Sequence, residues 1–195
     1  MNFKVKKIAL FGTSADPPTI GHKKILKDLA GIFDCVICYA SNNPSKKHGA
    51  DLSLRGTLLQ TLINDLNNPN ILYDQEISSS WAINSVNKSI EKYNLNKISF
   101  VIGSDLLQQI PSWKDIDKII SKVIFFIIPR EGYPINHSNL KFIKESKGGY
   151  VLSTLQVPKI SSSTIRSNTQ HPFLPRSLVP IVKANNLYNS SKMEE

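Results

Sequence analysis

Two kinds of apolar pattern alternate along this chain. Short, almost unbroken apolar runs occupy residues 8–11, 35–40, 71–73, 98–102, 123–128 and 150–152. Between them, apolar residues recur at helical spacing. Leu54, Leu58, Leu59, Leu62, Ile63 and Leu66 share one face of a helix predicted over 54–66, with Ser53 as its cap. Ile83, Val86 and Ile90 do the same in a helix capped by Ser80 and ending near Tyr93. Further helices are expected over 23–30, 106–110, through Ile116, Ile119 and Ile120, over 136–146, and in a closing stretch at 178–188. A strand that is apolar on both faces needs cover on both faces, and strand–helix alternation supplies it. The pattern predicts an α/β fold: a Rossmann-like doubly wound parallel sheet with helices on both faces and a small C-terminal helical cap. Residues 1–195 show no linker, repeat or low-complexity stretch and read as a single domain.

Composition narrows the class. The chain is 41% hydrophobic and 20% charged, within the range of globular proteins. No apolar run approaches membrane-spanning length, and Met1-Asn2-Phe3-Lys4 does not open a signal peptide. Cys35 and Cys38 lie three apart in an expected strand, on opposite faces, which suits two reduced thiols in the cytoplasm. The net charge of +9 raises nucleic-acid binding as an alternative. All but four of the 24 basic residues are lysines, scattered and not interleaved with aromatics. That distribution fits a solvated surface that draws in polyanions such as ATP, with neither nucleic acid nor membrane as partner.

In sheets of this kind ligands bind beyond the C-terminal ends of the strands, so the loops there carry the chemistry. The first runs from Gly12 through Thr13, Ser14, Asp16, Pro17, Pro18 and Thr19 to Gly21-His22, and then enters a helix. Such a strand–loop–helix joint offers backbone N–H groups and a helix N-terminus to phosphate. Gly12 leaves room for a ligand to approach the backbone, two prolines stiffen the loop, and His22 stands about one turn into the helix. An ordinary βα turn with a surface histidine has the same outline. The loop is neither a Walker loop nor a dinucleotide fingerprint. Further along, Gly103-Ser104-Asp105 follows a buried strand and is either a helix cap or a place for ribose hydroxyls at Asp105. Trp113, flanked by Pro111, Ser112 and Lys114, reads as an exposed stacking surface more than a core anchor. Ser161-Ser162-Ser163-Thr164 before Arg166 offers hydroxyls, free N–H groups and one guanidinium, a set that grips phosphates. Ser80-Trp81 is a helix start with a hydroxyl and an aromatic.

Residues 12–22 resemble the signature of the nucleotidyltransferases, G-[ST]-F-D-P-x-[HT]-x-G-H. With Gly103, Asp105 and Trp113, the run from Ile160 to Arg166, and the closing Leu187-Tyr188, the chain is similar over almost its whole length to the nicotinate-nucleotide adenylyltransferases. The resemblance implies adenylyl transfer from ATP to nicotinate mononucleotide, with magnesium arriving on ATP and no metal site in the protein. It implies that the catalytic residues His22 and Thr19 contact the ATP phosphates. Gly12, Thr13, Ser14, Gly103, Asp105, Ser161, Ser162 and Arg166 would bind ATP. Lys46, Ser80, Trp81, Trp113 and Arg130 would bind the mononucleotide, with the two tryptophans flanking the pyridine ring. The enzyme would be cytoplasmic, and homo-oligomerisation is compatible with the class. Three stretches depart from the pattern. Thr19 stands where most of the family has histidine. Ala82 and Asn84 replace a threonine and a carboxylate. Pro44-Ser45-Lys46 replaces Pro-His-Lys, keeping only the cation. Thr19 and the serine run leave a phosphopantetheine adenylyltransferase as an alternative, and a non-catalytic nucleotide-binding regulator on the same fold as another.

Overall fold

The apolar runs become six strands of one parallel sheet. In the computed structural model, which describes residues 7–135, 137–167 and 173–188, these are β1 (Ile8–Thr13), β2 (Cys35–Ala40), β3 (Ile71–Tyr73), β4 (Ile98–Gly103), β5 (Val123–Ile128) and β6 (Gly149–Leu152). The expectations for Met1-Asn2-Phe3-Lys4 and for a helix start at Asn136 lie outside the described residues. The strand order is β3-β2-β1-β4-β5-β6, with every pair parallel. The chain winds outward from β1 in one direction and from β4 in the other, so the order reverses between these two strands. Their C-terminal ends, at Gly12-Thr13 and Gly103, therefore flank the crevice where such sheets bind ligands.

Successive strand residues face opposite sides, and each side has its own core. Ala9, Phe11, Val36, Cys38, Val101 and Phe126 pack against α1 (Ile20–Ala30), α2 (Leu52–Leu66) and the C-terminal elements. Leu10, Ile37, Phe100, Ile102, Phe125 and Ile127 pack against α3 (Ala82–Tyr93), α4 (Ile116–Lys122) and α5 (His137–Glu145). The expected helical cap is α6 (Ser162–Ser167), a 3₁₀ turn at Arg176–Leu178 and α7 (Val179–Ala184). The closing helix stops at Ala184, short of Tyr188.

Two expected caps move. α2 begins two residues early because the Asp51 carboxylate accepts the Leu54 N–H at 2.8 Å, and a carboxylate also suits the positive end of a helix. Ser53 lies inside that first turn. At α3 the N-cap is Trp81, in extended conformation and with no side-chain cap bond, and Ser80 falls one residue outside. The stretch from Leu106 to Ile110 is part of a longer 3₁₀ segment, Ser104–Ser112. Both cysteines are free, Cys38 buried and Cys35 half-buried, and burial pushes both thiols up, away from thiolate chemistry.

Candidate active site

The crevice at the β1/β4 reversal is an open cleft of about 870 Å³. One end is formed by the loop between β1 and α1. Thr19 is fully buried and caps α1, its Oγ1 accepting the N–H groups of Gly21 and His22 at 3.1 and 3.4 Å. His22, third residue of the helix, completes a reciprocal cap: its Nδ1 accepts the Thr19 N–H at 3.1 Å and lies 2.9 Å from Thr19 Oγ1. A glutamate or glutamine usually fills that place. With Nδ1 accepting a backbone N–H, the ring proton belongs on Nε2, which lies 2.9 Å from Thr13 Oγ1. Burial first, and then the charge of Arg130, lower the His22 pKa from 6.5 to about 4. At neutral pH the ring is an uncharged donor held in one tautomer. Thr19 is thus turned inward to orient His22, and the hydroxyl expected on phosphate is committed to the cap.

Asp16, read in the sequence only as part of a stiff loop, is the hub of this end. It is 1% exposed, and its carboxylate accepts the N–H groups of Gly49 and Ala50 at 2.7 and 3.2 Å and the Tyr188 hydroxyl at 2.8 Å. Burial and the neighbouring carboxylate push the Tyr188 phenol up, so it remains a donor. Arg166 donates to the Asp16 carbonyl at 2.6 Å, and the Ser162 hydroxyl to the Pro17 carbonyl at 2.8 Å. Ser161 caps α6 through Thr164 N–H at 3.2 Å. The serine–arginine run expected around the triphosphate is therefore stapled onto the first loop, facing the same cleft. Beneath them Arg55, 1% exposed, donates to the carbonyls of Ser14, Ser41 and Ala50 at 2.7, 2.9 and 3.1 Å. Its signal in the sequence is a charge on the apolar stripe of α2, in line with Leu58, Leu59 and Leu62.

Gly12 and Gly103 line the cleft, and each also has a protein neighbour that a Cβ would meet. A Cβ on Gly12 would stand 2.6 Å from the buried Tyr39 ring, so the glycine makes room for that side chain. At Gly103 a Cβ would collide with Asp105 Oδ1 and come within 3.1 Å of Arg130 Cδ. Those two residues form an ion pair at 2.8 Å. Arg130, grouped by the resemblance with the mononucleotide, sits where the two halves of the cleft meet, close enough to His22 to act on its charge.

The other end is aromatic and looser. Trp113 is half-buried rather than exposed, its ring 6.0 and 6.5 Å from those of Phe100 and Phe125 at the core edge. Trp81 is 43% exposed, and Lys114 Nζ stands 5.1 Å above its ring. Ser80 and Lys46 are exposed on the cleft wall. Thr13 and Ser14 line the phosphate end, where the Ser14 carbonyl is held by Arg55.

Comparison with known proteins agrees with this geometry. A cytidylyltransferase-like family model matches residues 10–168. A protein of Synechocystis named as a probable nicotinate-nucleotide adenylyltransferase is 32% identical over 93% of this chain and 98% of its own length. One of Campylobacter jejuni with the same name is 32% identical over 79% of this chain and 90% of its own. The fold matches that of a Plasmodium falciparum nicotinic acid mononucleotide adenylyltransferase complexed with NaAD, at a TM-score of 0.77, 21% identity, and 94% and 98% coverage. The chain belongs to the cytidylyltransferase-like family and, within it, to the nicotinate-nucleotide adenylyltransferases.

Proposed function

We propose that this chain joins ATP to nicotinate mononucleotide, giving nicotinate adenine dinucleotide and pyrophosphate in NAD biosynthesis. The observation that carries the reading is the tautomer-locked, uncharged His22 at the crevice, beside a loop stapled to Ser162 and Arg166. An oxygen of the mononucleotide's phosphate attacks the α-phosphorus of ATP. The bond from that phosphorus to the α–β bridging oxygen breaks, and its electron pair leaves with pyrophosphate. The attacking oxygen is already ionised at neutral pH, so no side chain has to remove a proton.

What remains for the protein is positioning and charge stabilisation. His22 Nε2–H, now facing the Thr13 hydroxyl, is placed to donate to the transferring phosphoryl group. Arg130 and Arg166 supply positive charge on either side, and Lys46 and Lys47 extend it along the wall. Asp105 is the acceptor available to adenosine hydroxyls. Ser161 and the first turn of α6 stand on the triphosphate side. Among the described residues no three of His, Cys, Asp and Glu converge, and Asp16 is saturated by its own donors. Magnesium would come with ATP, held by phosphate oxygens and water, and would offset their charge. Thr19, which kept the phosphopantetheine alternative open, is buried under the helix cap, where it holds His22.

No helix among the described residues is long and apolar enough to cross a membrane. The reading takes the enzyme as cytoplasmic, acting on small molecules, with further copies of itself as the compatible macromolecular partner. The test is to mix the chain with ATP, magnesium and nicotinate mononucleotide, and to measure pyrophosphate and dinucleotide together. Equimolar appearance of both supports the reading. Product from phosphopantetheine alone, or none with either acceptor, overturns it.

A further inference from the structure

Among the described residues, six Lys and Arg side chains line the cleft: Lys46, Lys47, Lys114, Arg130, Lys159 and Arg166. Three are already paired, Arg130 with Asp105 at 2.8 Å, Lys159 with Glu131 at 2.7 Å and Arg166 with Asp16 at 3.6 Å. Among the described residues no carboxylate pairs with Lys46, Lys47 or Lys114. The first two belong to the loop after β2. Lys114 alone of the unpaired three stands at the aromatic end, with its ammonium over the face of the exposed Trp81 ring.

A cation resting on an exposed indole face gains little, because water competes for it. That face is therefore within reach of a cation and open to exchange of its present occupant. The pyridine ring of a mononucleotide is itself a flat cation, since its nitrogen bears the ribose. It matches the indole in shape as well as charge, which the ammonium does not. Once the pyridinium takes the face, Lys114 is left beside the ring, on a stem long enough to follow the substituent. In the acid that substituent is a carboxylate; in the amide it is neutral.

We propose that Lys114 is the residue that distinguishes nicotinate from nicotinamide mononucleotide, by exchanging the Trp81 face for the ring carboxylate when the substrate enters. This rests on the adenylyl-transfer reading and extends it to the side chain that sets acceptor choice. The amide brings no charge for the ammonium and an NH₂ donor that faces another donor. The discrimination is electrostatic at a solvated lip, so it weakens as salt is added.

The experiment compares wild type with Lys114→Gln and Lys114→Arg, measuring KM and kcat for both mononucleotides at fixed ATP and magnesium. Gln keeps much of the side-chain length and removes the charge. We expect Lys114→Gln to raise KM for the acid about fivefold, the upper end of what one exposed ion pair supports. KM for the amide and for ATP stays unchanged, so the acid-to-amide ratio of kcat/KM falls by the same factor. Lys114→Arg restores most of the ratio, because a point charge and not a planar fork is required. Raising ionic strength from about 0.05 to about 0.5 M lowers the ratio in wild type and leaves it flat in Lys114→Gln. A wild-type ratio retained in Lys114→Gln overturns the proposal while the adenylyl-transfer reading stands. So does an equal loss for acid and amide, which would mean that Lys114 merely shapes the loop. If wild type releases pyrophosphate with neither mononucleotide, both fall.

Discussion

The two ends of the cleft are built on opposite plans. At the phosphate end almost every polar atom has a partner inside the protein: Thr19 and His22 cap each other, Asp16 holds three donors, and Arg55 spans three carbonyls. At the aromatic end Trp81 caps its helix with no side-chain bond, and Lys114 rests on an exposed ring. The reaction asks for this difference. Charge that develops on a transferring phosphoryl group is best met by donors that need not reorganise. A lip that admits and releases a mononucleotide has to exchange partners at each turnover. On the proposed reaction, rigidity falls where the transition state would form and adaptability where the mononucleotide would enter.

The largest effect on this contrast is expected from Asp16→Ala, which leaves two N–H groups and a phenol without their acceptor and takes the countercharge from Arg166. Removing one partner of a buried charged network costs about 3–5 kcal/mol, to be read from denaturant unfolding. A variant within about 1 kcal/mol of wild type would mean that the hub is not a hub. His22→Ala comes next. It should lower turnover about 10²–10³-fold, the typical cost of losing one preorganised donor to a developing anion. Wild-type turnover in that variant would remove His22 from the chemistry.

The tryptophans sharpen the contrast at the other end. Trp113→Ala is expected to weaken mononucleotide binding and to cost about 1–3 kcal/mol of stability, since its ring packs on Phe100 and Phe125. Trp81→Ala should raise KM for the mononucleotide alone, with stability within about 0.5 kcal/mol of wild type. Equal thermal shifts in the two variants would place both rings in the core. The smallest effect concerns pH. A histidine depressed to about 4 leaves the rate without a His22 titration between about pH 5 and about pH 8. The sign for stability follows from the unfolded chain taking the proton first. The contribution of the neutral ring is whole above 6.5 and declines as pH falls towards about 4. Comparing unfolding of wild type and His22→Gln across that window checks it, because glutamine has nothing to titrate.

What could be read from the sequence was local. Uninterrupted apolar runs specified the strands, and helical spacing specified the faces of α2 and α3, because both patterns repeat within a few residues. His22 was legible because it sits at a short, recognisable joint. Ser53 and Ser80 looked like caps by residue type, but capping depends on where the backbone turns helical, and Asp51 and Trp81 hold those places. Thr19 and the Ser162–Arg166 pair pointed to phosphate in the sequence. In the fold they first hold the protein's own loop, which spacing along the chain cannot disclose. Gly12 was traced to the ligand, and the fold adds a constraint that spacing does not reveal, the Tyr39 ring on the adjacent strand. Asp16 stayed hidden because its partners lie 33, 34 and 172 residues away.

That last separation has a consequence for how the protein is made. The phosphate loop leaves the ribosome early, but the phenol that completes Asp16 follows 172 residues later. At roughly 5–20 residues per second, the delay is on the order of 10–30 s. The strand β1 waits as well, since its partner β4 is also distant in sequence and closing so long a loop carries an entropic cost. During that interval the Asp16 carboxylate of a growing chain can meet the N–H groups of Gly49 and Ala50 but lacks its third donor. The nucleotide cleft is therefore among the last parts of the molecule to be finished, and a chain interrupted before Tyr188 would hold the loop that leads to His22 with one fastening fewer.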